Sequence, residues 1–200
     1  MSLSIGLVVA DIVLVAVLIV AVVTDLATGR IRNRLTYPAM VAGLVIWMAA
    51  GAAGGGWSGA AGGLWMSAAG LLVAFVPMLI AFWLGGIGGG DVKLAGAIGA
   101  LVGWPMAIHA LFYGFIAAAV VGVGLIVVKR MTRQTAGRLL QFFWMLMTGV
   151  RPNDPTGARS PRLATALPWA IGTIAAVAQY QWYPWLAGRG VWVTGVPFGT

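Results

Sequence analysis

Four residues supply all the carboxylic acids of this chain: Asp11, Asp25, Asp91 and Asp154, with no Glu among 200 residues. Asp91 directly follows a glycine tract, in the stretch GGIGGGDVKL from Gly85 to Leu94. Two carboxyls brought close together cannot both ionise easily, so one keeps a proton near neutral pH, and the pair can then activate a water and protonate a leaving group. That is the acid–base arrangement of an aspartic protease. The glycines suit it physically: Gly88 to Gly90 have no side chains, so backbone there can approach a neighbouring helix or an extended substrate, with Asp91 at a helix start. On the residues alone, two plainer alternatives stand beside this reading. Asp91 can be a simple helix N-cap, and Asp25 a solvated interfacial residue near Arg30. Other chemistries are closed. With no Cys there are no disulfides, thiolate metal sites or thiol nucleophiles, and the single His109 cannot build a metal site, so neither metal nor cofactor is expected.

The elements that must position these acids are membrane helices. The chain is 61% hydrophobic and 8% charged, with a mean hydropathy of +0.98, a balance found in integral membrane proteins rather than soluble domains. One membrane-embedded domain over residues 1–200 is expected, all-α, with about six transmembrane helices. Leu3 to Thr24 makes the first span; its 22 residues reach about 33 Å as a helix, enough for a hydrocarbon core of about 30 Å. A cleaved signal peptide is the competing reading, but MSLSIG has no basic residue and the positive charges follow the apolar run, in GRIRNR. Thr36 to Ala53 and Ala60 to Leu84 read as a hairpin around the uncharged GGGWSG. The stretch from Gly90 to Val128 is too long for one helix, and Gly103, Trp104 and Pro105 divide it into a short fourth span and a full fifth. Leu163 to Leu186 is the sixth. Thr135 to Val150 is apolar but too short to span and suits a cytoplasmic interfacial helix, and the polar, Pro-rich RPNDPTGARSPR is a loop.

Charge checks the count independently. In a six-span arrangement Arg30, Arg32, Arg34, Lys93, Lys129, Arg130, Arg133, Arg138, Arg151, Arg159 and Arg162 all fall on one side, leaving Arg189 on the other, and the positive-inside rule makes the crowded side cytoplasmic. Both termini are then outside. The net charge of +8 therefore points to anionic lipid, with membrane lipids as partners and nucleic acid excluded, because the basic residues sit in short loops flanking apolar spans. The same topology brings Asp25, at the end of span one, and Asp91, at the start of span four, to one cytoplasmic surface.

At this point the segments resemble a known family. GGGDVKLAGAIGALVG contains a GxGD motif and is similar to the second active-site segment of the type IV prepilin peptidases; DLATGRIRNRLT, opened by Asp25, is similar to the first; ALPWAIGTIAA is similar to the Pro-containing C-terminal segment. Together they extend from about Val20 to Ala176. The resemblance implies an endopeptidase of the inner membrane that removes leader peptides from type IV pilin-like precursors on the cytoplasmic side. It implies Asp25 and Asp91 as the catalytic pair, with Gly88, Gly90, Lys93 and Asn33 at the motif and substrate approach. Many family members have Pro before the Asn of the first segment, where this chain has Arg32 before Asn33. Larger members carry a cytoplasmic insertion with a cysteine tetrad, associated with zinc and with methylation of the new pilin N-terminus. This chain has neither, and resembles the compact peptidases of tight-adherence (Tad/Flp) pilus systems, which implies cleavage without methylation. Presenilin and signal peptide peptidase also use GxGD, but the Asp25 segment favours prepilin peptidase.

The remaining polar residues have mostly structural expectations. Lys93 lies two positions from Asp91, points elsewhere on a helix, and suits lipid headgroup contact more than tuning of the pair. Asn33 suits turn capping. Asp11 precedes Asp25 by fourteen residues, about 21 Å along a helix on nearly the same face, too far to join the site; an outer-interface or interhelical hydrogen bond is expected for it. The ten Trp are expected mostly as interface anchors. A small cation- or proton-coupled transporter using Asp11, Asp25 and Asp91 is the alternative from another class. It differs in requiring an acid near the midplane and access from both sides. The topology has a direct check: in this Cys-free chain, Arg32→Cys should react with a membrane-impermeant thiol reagent only after cells are opened. Labelling in intact cells would invert the topology.

Overall fold

The computed structural model describes residues 2–84, 87–128 and 165–182, and among them every regular element is helical. The elements are α1 (Ser2–Thr28), α2 (Asn33–Trp83), α3 (Gly89–Val102), α4 (Trp104–Val128) and α5 (Ala166–Val177), the last continuing into a π-helical turn, Ala178–Trp182. Three helices are long and apolar enough to cross a membrane: Ile5–Thr28, Asn33–Trp83 and Trp104–Gly124. Large apolar side chains such as Ile5, Ile12, Ile19, Phe112 and Val120 face outward along them. Contiguous apolar surface of this kind belongs in hydrocarbon.

The expected hairpin is present within α2. Gly55 and Gly56 leave helical geometry, Gly56 with φ +60°, and the two halves then run back along each other. They pack at backbone distance: a Cβ on Gly51 would strike the carbonyl of Gly59, and one on Gly63 the carbonyl of Trp47. The break expected around Gly103 is also present. Gly103 adopts φ +79°, a conformation open to glycine, and separates α3 from α4.

Length does not by itself make six spans. α3 has 14 residues, about 21 Å of helix, short of a hydrocarbon core, and of the expected sixth span only 165–182 is described. The reason for α3 is its position. From Asp91 to Val102 only Lys93 is not buried, so α3 is the centre of the bundle, sheathed by the other helices. Half of its sequence, GGDVKLAGAIGALV, is Gly or Ala, which lets neighbouring backbones approach. Gly43 packs on Ala100, Gly70 on Gly99, and Gly96 receives Met40 and Phe75. Leu14 and Leu18 of α1, Met78 of α2, and Leu94 and Leu101 of α3 fill the remaining core. The expected interfacial helix over 135–150 and the ends of the sixth span lie outside the described residues.

The pairings between elements give their directions. Along α2, Met40, Gly43 and Trp47 meet Gly96, Ala100 and Leu101 in the same order, whereas Ser67, Gly70 and Phe75 meet Ala100, Gly99 and Gly96 in reverse order. The first half of α2 is thus parallel to α3 and the second half antiparallel. α5 runs antiparallel to both α1 and α4: it meets α1 through Asp25 at one end and Asp11 at the other, and α4 through Gly114 and Gly172, then His109 and Tyr180. Asp11 accepts from Gln181 Nε2 and from Trp182 Nε1, each at 3.0 Å, an interhelical role.

The buried end of α3 explains two further residues. Helix-terminal carbonyls have no partner within their own helix and need one from elsewhere. Trp47 Nε1 donates to the carbonyl of Leu101 at 2.9 Å, and Ser67 Oγ to that of Ala100 at 2.7 Å. Trp47 and Trp169 are therefore core residues rather than interface anchors, in contrast to the exposed Trp57, Trp65 and Trp83. Tight glycine packing has a measurable consequence. Gly70→Ala forces a methyl group into the backbone of α3 and should destabilise the protein by about 1–3 kcal/mol, whereas Gly62→Ala points into open space and should be neutral or slightly stabilising. Thermal unfolding in detergent distinguishes them; equal melting temperatures would refute the close contact.

Candidate active site

Asp25 lies in the last turn of α1. That helix ends at Thr28 because Gly29, with φ +62°, takes the left-handed conformation and donates its N–H to the carbonyl of Asp25 at 2.7 Å. The chain then turns through Arg30 to Arg32 into α2. Ile31 in this turn packs against Gly90, where a Cβ would sit 3.2 Å from the Ile31 Cβ. This glycine therefore lets the turn after Asp25 come down onto the first turn of α3, which carries Asp91. Gly88 has another function. A Cβ there would be 3.1 Å from Asp91 Oδ2, so glycine keeps space open beside that oxygen.

Both plainer alternatives for the two acids fail on geometry. Gly88, not Asp91, is the N-cap of α3, and the helix has no side-chain cap; Asp91 instead sits within the first turn, its N–H bonded to the Gly88 carbonyl at 3.0 Å. Asp25 is not a solvated surface residue, since each of the two acids exposes only 5% of its surface. Burying a carboxyl without partners is expensive. Here one partner for each comes from the same place, the start of α5. Thr165 Oγ1 donates to Asp91 Oδ1 at 2.5 Å, and the backbone N–H of Ala166 donates to Asp25 Oδ2 at 2.9 Å. Consecutive residues thus hold one oxygen of each carboxyl. These contacts bring together two acids 66 positions apart in sequence.

The other residues singled out in the sequence lie beside this pair. Lys93 Nζ donates to Asn33 Oδ1 at 2.8 Å and stands 5.3 Å from the centre of the Tyr37 ring, so Lys93 and Asn33 tie the start of α2 to the start of α3. Asn33 opens α2 without capping it. Asp11 is elsewhere, with its partners on the π-helical turn.

Sequence reasoning missed Thr165 and Ala166. A hydroxyl residue immediately before an apolar run with Pro168 in its first turn is a helix-start signature and could have marked Thr165. Nothing in a sequence marks a backbone N–H, so Ala166 had no such signal. Chemically, the arrangement offers two buried carboxyls, each with one oxygen held by a donor from the same helix start.

Comparison with known proteins addresses the chain from outside its own geometry. No curated protein and no solved structure matches it. The model of the Type IV leader peptidase family matches residues 12–123, a region containing the greater part of α1, all of α2 and α3, Asp25 and Asp91, the glycine tract and most of α4. The matched segment is more than half of the 200 residues, and the chain thus belongs to the Type IV leader peptidase family: it is a membrane-embedded aspartic protease.

Proposed function

We propose that this leader peptidase uses Asp25 and Asp91 as its catalytic pair and removes leader peptides from Flp-type pilin precursors at the cytoplasmic face of the inner membrane. Pilin-like precursors are the substrates that the family implies. The observation that carries the assignment of the pair is the convergence of both buried carboxyls on the first residues of α5. In the reaction, the ionised carboxyl takes a proton from a water as its oxygen attacks the scissile carbonyl carbon. The proton held by the other carboxyl then passes to the departing amine as the C–N bond breaks. Gly88 gives the extended substrate room at the pair, and Gly90 seats the Ile31 turn that brings Asp25 to it. Lys93 and Asn33 brace the approach from the α2 side.

The cytoplasmic assignment is supported by the concentration of Arg and Lys on the side of Asp25 and Asp91. A six-pass arrangement is supported by the alternating directions of α1, the two halves of α2, α3, α4 and α5. Transport is disfavoured by the separation of the acids. Asp11 pairs with the far end of α5 and does not join Asp25 and Asp91.

If the pair acts as one unit, Asp25→Asn and Asp91→Asn should each lower cleavage of a pilin-like precursor by about 10²–10⁴-fold or more, and the double variant should be no worse, because losses within a unit are not additive. Asp11→Asn should keep most of the activity. Leader removal measured by gel shift, on variants shown to be folded in detergent, checks this; efficient cleavage by either single variant removes that acid from catalysis. The chain should also process without methylating. Mass spectrometry of the mature product should show an unmodified N-terminus and no sensitivity to a zinc chelator, and a methyl group that depends on this protein would contradict the Cys-free reading.

A further inference from the structure

We propose that Thr165 is a positioning residue for the catalytic pair: its hydroxyl, acting together with the N–H of Ala166, holds one oxygen of each carboxyl as an acceptor and so keeps the working proton off those two oxygens. The inference rests on the assignment of Asp25 and Asp91 as the pair and adds to it a residue beyond the segment matched by the family model.

Thr165 occupies the N-cap position of α5, where a threonine hydroxyl ordinarily accepts from its own helix. Here it makes no such bond. Its single proton is directed outward, to Asp91 Oδ1 at 2.5 Å. The cap is supplied instead in trans, by Asp25 Oδ2 accepting from Ala166 N at 2.9 Å. A backbone N–H can only donate, so Asp25 Oδ2 is held as an acceptor. A hydroxyl spending its proton on Asp91 Oδ1 holds that oxygen as an acceptor as well. The oxygens left are Asp25 Oδ1 and Asp91 Oδ2, the second lying beside the Gly88 backbone. Asp91 Oδ2 is also the oxygen beside which Gly88 keeps space open. Donors on Asp25 Oδ2 and Asp91 Oδ1 keep the exchangeable proton off those two oxygens, and the space kept open at Gly88 lies beside one of the others, where a water can approach. Each carboxyl is also fixed in rotation. The contacts that fix them come from a single rigid helix start, so the two carboxyls are oriented relative to each other rather than separately.

The test compares isosteres at position 165 in the full-length protein, with a pilin-like precursor as substrate and Asp25→Asn and Asp91→Asn run alongside. Thr165→Val keeps shape and removes the donor. It should lower kcat roughly 10- to 100-fold, the effect of losing one hydrogen bond to a charged group, with KM little changed. Thr165→Ser returns the donor and should restore most of the rate. If Thr165→Val unfolds the protein in detergent, Thr165→Ala against Thr165→Ser makes the same comparison. Wild-type kcat in the donor-free variant while both Asn variants are dead would overturn the role of Thr165 and leave the pair intact. Equal losses in Ser and Val would show that shape rather than the hydroxyl matters, and would overturn it too. Activity in either Asn variant would overturn the pair, and this inference with it.

Discussion

A helix end buried in an apolar surrounding must find hydrogen-bond partners outside its own helix, and this requirement organises the molecule. It acts twice. At the far end of α3, the indole of Trp47 and the hydroxyl of Ser67 satisfy the carbonyls of Leu101 and Ala100. At the near end of α5, a carboxylate does the corresponding work for a free N–H. The second solution places a charge-bearing group inside the bundle, which a structure alone would have little reason to do. A neutral side chain such as Ser would cap the helix with less desolvation. The use of Asp25 there is understandable when the carboxyl has a second task.

The first solution makes the second possible. Because α3 has its terminal groups satisfied and is half Gly and Ala, it can be surrounded on all sides, and its first turn is fixed by packing rather than by solvent. Asp91 inherits that fixed position. Asp25 is fixed through a different route, the left-handed Gly29 and the contact of Ile31 with Gly90, so that the turn after α1 is seated on α3 itself. Two acids from distant parts of the chain are thereby referred to the same scaffold. In a membrane, where burial of apolar surface gives no net drive between helices, such close backbone contacts and interhelical hydrogen bonds are the forces available.

Much of this was legible in the sequence. Hydropathy and charge set the helices, the hairpin at GGGWSG and the break at Gly103, because these depend on local composition and on glycine's conformational freedom. The acids were legible for a simpler reason: there are only four, and two fall at boundaries on the same side. What sequence could not supply were relations between distant segments. That α3 is central rather than one span among equals depends on how its alanines and glycines meet Gly43, Gly70 and Phe75. The core role of Trp47 follows from those contacts and that of Trp169 from its packing on Gly114 and Phe115 of α4, since an indole in an apolar helix is equally consistent with an interfacial anchor. The partners of Asp25 and Asp91 were hidden most completely: one is a main-chain group, and the other a threonine 74 residues beyond the acid that it serves.

Asp11 completes a relation between α1 and α5 that has a consequence for insertions and deletions. The two acids of α1 are fourteen residues apart, and the donors they engage on the antiparallel partner, Ala166 and then Gln181 and Trp182, are fifteen and sixteen apart. The two helices therefore work like a ruler read at both ends, with the π-helical turn at Ala178–Trp182 taking up the mismatch. Adding or removing one residue between positions 167 and 177 would leave the Ala166 end untouched yet rotate everything after it by about 100° and shift it by about 1.5 Å, turning Gln181 and Trp182 away from Asp11. The length of this segment is thus constrained independently of its composition: α5 can exchange one apolar side chain for another far more readily than it can change its count.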